Sequence, residues 1–83
     1  MKIVTISSNI KSSHYLFYRE RAVDKPREYY EVVFFNYAGE WNVEVFSPNG
    51  EKVEDFTGQK FETLSLAIMS VDEQLSNLTG ETK

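Results

Sequence analysis

A chain with one histidine and no cysteine has few routes to covalent chemistry. His14 stands beside Ser12 and Ser13, the residue types of a base and its nucleophile. Nothing nearby supplies a nucleophile elbow or a glycine-rich oxyanion loop, so His14 reads as a surface histidine in a polar turn. Glu40 and Glu44 fall on one face of a predicted strand. Four residues along a strand span about 13 Å, too far for a glycosidase carboxylate pair. Without cysteine there is no thiolate nucleophile or thiolate zinc site, and a lone imidazole rules out any site needing two. The phosphate-cradling loop, the dinucleotide fingerprint and the acidic calcium loop are all missing. The sequence therefore predicts no enzyme, no cofactor and no metal.

The aromatic residues carry more information. Twelve of the 83 residues are Phe, Tyr or Trp, and ten of these lie between Tyr15 and Phe46. Their spacing is that of β-strands. Residues 14–21 alternate Tyr15, Phe17 and Arg19 with Leu16, Tyr18 and Glu20. Residues 29–37 put Tyr30, Val32 and Phe34 on one face and Tyr29, Val33, Phe35 and Tyr37 on the other. Strands apolar on both sides belong in the interior of a sheet. A short strand over residues 2–7 precedes them, and residues 40–47 alternate Trp41, Val43 and Val45 with Glu40, Asn42, Glu44 and Phe46.

The punctuation fixes the connections. Ala38-Gly39 marks a tight hairpin and Ser47-Pro48-Asn49-Gly50 a second turn. Residues 9–13 form a polar turn, residues 22–28 around Pro26 form the longest loop, and residues 51–56 form a weak acidic edge strand. Then the period changes. Phe61, Leu64, Ile68, Val71, Leu75 and Leu78 make one helical stripe, with Thr63 as N-cap and Gly80 as C-terminal stop. The fold class predicted is α+β, an antiparallel four- to five-stranded β-meander with one C-terminal α-helix packed on one face, in the order β-β-β-β-β-α. The alternative is a three-stranded sheet with the first thirty residues as a separate arm. Residues 1–80 form a single domain and 81–83 a disordered tail. No apolar run approaches the ~20 residues of a membrane span, and the N-terminal stretch lacks the apolar core of a secretory signal. The expectation is a cytoplasmic protein with no membrane partner.

Gly39, Trp41 and Val43, followed by Phe61, Thr63 and Ala67, resemble the G-x-W-x-V strand and F-x-T helix start of the AP2-like and integrase arm-type DNA-binding domains. The resemblance covers roughly residues 30–78. It implies a three-stranded sheet on one helix that reads DNA with basic residues of the sheet. Here Glu40, Glu44, Glu51 and Glu54 occupy those strands. The layout carries over and the DNA-reading surface does not.

Charge is divided along the chain. Residues 1–27 hold six bases against two acids, a balance of +4, and residues 28–83 hold eleven acids against three lysines, a balance of −8. One helix can cover one face of a sheet, so a second aromatic face points to an interface. The predicted function is a small acidic protein-binding module, in the form of a homodimer or an inhibitor of a nucleic-acid-handling protein such as viruses and mobile elements encode. Its expected contact residues are Tyr15, Phe17, Tyr29, Phe35 and Tyr37, rimmed by Glu40 and Glu44. The alternative is a single-stranded nucleic-acid binder using Lys11, Arg19, Arg21, Lys25 and Arg27 among the N-terminal aromatics.

Overall fold

The computed structural model describes residues 1–19 and 28–80. Arg21, Lys25, Arg27, the body of the loop expected around Pro26 and the tail 81–83 lie outside the described residues. Five antiparallel strands follow one another in sequence order: β1 (Lys2–Ser8), β2 (Ser12–Arg19), β3 (Glu28–Tyr37), β4 (Glu40–Phe46) and β5 (Lys60–Phe61). The helix α1 (Leu64–Thr79) packs against β4 and β5. The predicted meander with one C-terminal helix is the observed fold, with all five strands in one sheet and no separate arm. No helix among the described residues is long and apolar enough to cross a membrane.

Local chemistry sets each turn. Asn9 ends β1, and its Oδ1 accepts from the backbone N–H of Lys11 and of Ser12, both at 2.9 Å. This side-chain mimic of a backbone turn replaces the glycine the segment lacks. Between β3 and β4, Ala38 and Gly39 have φ of 55° and 82°, the two left-handed residues of a tight hairpin whose twist matches the strands. Thr63 caps α1 by accepting from Leu66 N–H at 3.1 Å, and Gly80 ends it with φ of 76°.

The core lies between α1 and one sheet face. Phe17, Val32, Phe34 and Val45 on the sheet and Ala67, Val71 and Leu75 on the helix are fully buried. The helical stripe differs from expectation at its ends. Leu78 is 53% exposed, Phe61 belongs to β5, and the small Ala67 fills the contact instead.

Residues 51–56 are not a strand. Lys52 makes a single bridge to Phe46, and Glu54–Phe56 is a 3₁₀ turn. A strand would set Phe56 on the same side as Glu54, so burying the ring would bury a carboxylate. The tight turn separates them, sending Phe56 into the core while Glu54 and Asp55 stay exposed. The fifth strand instead pairs Lys60 and Phe61 with Asn42 and Trp41. Behind it, Gln59 and Gln74 exchange amide hydrogen bonds at 2.9 Å in both directions, tying this segment to α1.

Two stability outcomes follow from this packing. Leu75→Ala removes a fully buried side chain and costs about 2–5 kcal/mol, whereas Leu78→Ala stays within about 0.5 kcal/mol, both read by urea denaturation. Ala38→Asn replaces a residue that is strained at positive φ with one that tolerates it. This change stabilises the protein by about 0.5–1 kcal/mol and shows as a higher Tm.

Candidate functional site

Strand pairing decides which aromatics share a surface. Tyr15 pairs with Val32 and Phe17 with Tyr30, so both point to the helix side. Phe17 is fully buried and Tyr15 is 7% exposed, its ring edge-on to Phe17 at 6.4 Å and to Phe34 at 5.7 Å. These two predicted contact residues are core residues, a correction to the expected binding surface. The alternation within each strand is as predicted, but nothing in the sequence sets the register between β2 and β3.

Among the described residues no helix or strand lies over the opposite face. Leu16, Tyr18, Val33, Phe35 and Phe46 lie half-buried on it, shielded by their neighbours, and Tyr29 and Tyr37 are more exposed at 40% and 73%. Tyr18 and Tyr29, directly paired across β2 and β3, hold their rings 5.2 Å apart. Of the predicted contact residues, the fold brings Tyr29, Phe35, Tyr37, Glu40 and Glu44 to this one face. Leu16, Tyr18 and Phe46 join them. In the alternation Phe46 shares its face with Glu40 and Glu44, while putting Tyr15 and Phe17 on the binding face sends Leu16 and Tyr18 to the other.

The charges on this face interleave with its apolar groups. Glu40 sits at an end, paired with Tyr37 at the hairpin. Glu31 lies between Leu16 and Phe46, and Glu44 pairs with Val33. His14 Nε2 is 2.8 Å from Glu31 Oε2, an ion pair when the imidazole is protonated, although the contact is not aligned as a hydrogen bond. Lys52 Nζ is 3.7 Å from Glu44 Oε2. The acids are thus partly neutralised inside the face and do not form a continuous rim.

Of the predicted nucleic-acid contacts, Lys11 is exposed in the β1–β2 turn and Arg19 closes β2 opposite Glu28. Among the described residues no group of three or more His, Asp or Glu converges as metal ligands do. A pocket of about 360 Å³ beside α1 is lined by Asp55, Phe56, Gln74, Asn77 and Leu78, away from the open face. No protein-family model matches the chain, and no curated protein or solved structure is significantly similar to it.

The two faces separate experimentally. Phe17→Ala costs about 3–5 kcal/mol of stability. Tyr37→Ser, at a position 73% exposed, stays within about 0.5 kcal/mol, and paired thermal melts read the contrast.

Proposed function

We propose that this chain is a non-enzymatic protein-binding module whose open sheet face receives the partner. The observation that supports this reading is the uncovered apolar surface around Leu16, Val33, Phe35 and Phe46, opposite the face that α1 covers. Tyrosines at its margins suit a half-wet contact, because the ring buries apolar area while the phenol keeps a polar partner. The interleaved Glu31, Glu40 and Glu44 favour a partner presenting apolar groups together with Lys or Arg. In such a contact the charges give specificity and the apolar groups most of the affinity. A modulator that occupies the basic surface of a nucleic-acid-handling protein is one form this activity takes.

The test is selection of peptide ligands from a displayed library against the folded domain, followed by amide exchange on the complex. The expected ligands are apolar and basic, protect β3 and β4, and lose at least tenfold in affinity to Phe35→Ser while the fold persists. Ligands indifferent to Phe35→Ser would overturn the reading. So would micromolar binding of single-stranded DNA or RNA that weakens steeply between 50 and 200 mM salt, the signature of phosphate contacts.

A further inference from the structure

The sheet has two unequal edges. At one, β5 is two residues long and the chain passes from it almost directly into α1. At the other, β1 is seven residues long with every residue exposed, and no strand among the described residues lies beyond it. Outward backbone N–H and C=O groups along such a strand form a ready template for another strand. Its defences are few. Lys2 is its one charged residue and it has no proline. A bulge between Thr5 and Ser7 leaves Ile6 without a partner on β2, so regular pairing runs from Lys2 to Thr5. Ile3, Val4 and Ile6 are 37%, 43% and 50% exposed there, apolar surface that a neighbouring strand would cover.

We infer that β1 pairs antiparallel with β1 of a second copy, joining two five-stranded sheets into one of ten strands. Directly opposed residues in an antiparallel pair share a face. Val4 pairs with Leu16 on the open face, while Ile3 and Thr5 pair with Phe17 and Tyr15 on the helix side. Any register that sets Val4 against Thr5 of the second copy mismatches the faces and is excluded. Of the matching registers, the one centred on Val4 brings Ile3, Val4 and Ile6 all into the contact while extending no further than the bulge. It opposes Val4 to Val4 and Ile3 to Thr5, and it sets Lys2 against Ile6 rather than against the other Lys2.

The occupant is a second copy because the strand complements itself in this register. The contact also closes. Pairing β1 with the opposite edge would build an open fibre, but β5 has only two residues to offer, so a two-fold contact uses the one long edge and stops at two. The helix does not obstruct it: α1 packs over β4 and β5 and reaches the β1 side through Asp72, 2.8 Å from the Met1 amine. A two-fold axis perpendicular to the sheet keeps both helices on one side and joins the two open faces on the other. This pairing stands apart from the proposed open-face function and does not require it.

An edge contact this short is at the small end of specific interfaces, with Kd on the order of 10–100 µM. The chain has no cysteine, so single cysteines report proximity directly. In Val4→Cys, mild oxidation at ~100 µM protein should give a disulfide-linked dimer, and Phe35→Cys should give at least tenfold less. Val4→Lys and Val4→Glu should each weaken self-association at least tenfold in sedimentation, since like charges then meet across the axis. Mixing the two should restore association as a heterodimer. Both substitutions fall on an exposed edge, and circular dichroism confirms that the variants fold. A monomeric Val4→Cys after oxidation, preferential cross-linking through Phe35→Cys, or no recovery in the charge-swapped mixture would each overturn the inference.

Discussion

One helix must cover five strands, and it cannot. Sixteen residues of α-helix make a rod about 24 Å long and roughly 10 Å wide, while five strands at about 4.8 Å spacing present a wider floor on two sides. The buried residues trace the consequence. They cluster on one face of β2, β3 and β4, where Ala67, Val71 and Leu75 can reach them, with Phe56 filling the flank from its 3₁₀ turn. At the margin of the helix's reach β1 has no buried residue, and no element among the described residues covers the opposite face.

Legibility in the sequence follows the range of the interaction that sets each feature. Turns and caps are local, so Gly39, Thr63 and Gly80 could be placed from residue type, and their backbone angles agree. The alternation of β2, β3 and β4 is also local. Which face of β2 joins which face of β3 depends on the parity of the segment between them, and a shift of one residue would exchange Tyr15 for Leu16 in the core. That parity has no local signature, so Tyr15 and Phe17 could not be told from true surface aromatics. Residues 51–56 fail for another reason. Their weak alternation fits a strand, and only the tertiary need to bury Phe56 without Glu54 selects the turn. The turn at Asn9 is an intermediate case, since an Asx turn needs just one side-chain oxygen and leaves no glycine or proline to notice.

Sequence order has an electrostatic consequence in this topology. A meander lays its strands down in the order they are made, so an uneven distribution of charge along the chain becomes a gradient across the sheet. Lys2 and Lys11 belong to the β1–β2 side, whereas Glu40, Glu44, Glu51 and Glu54 belong to the β4 side and the turn beyond it. A fold that interleaved early and late strands would have mixed these charges. Within the open face the Glu44–Lys52 pair then softens the field locally, leaving the apolar groups beside it accessible.

The two unsatisfied features of the fold, an open face and a bare edge, have one origin and different physics. The open face lacks a second layer, and any covering surface of suitable chemistry relieves it because burial of apolar area is not directional. At the bare edge no strand among the described residues lies beyond β1, and only an extended backbone in register can continue the sheet there. The edge is therefore the more selective of the two. Its selectivity is written in the alternation of Ile3, Val4 and Thr5, which admits registers of one parity and refuses the other. An added strand also continues the sheet without turning it over, so satisfying the edge leaves the open face uncovered and places a second one beside it. In this architecture the proposed assembly through the edge and the proposed recognition through the face would not compete, and the first would enlarge the surface available to the second.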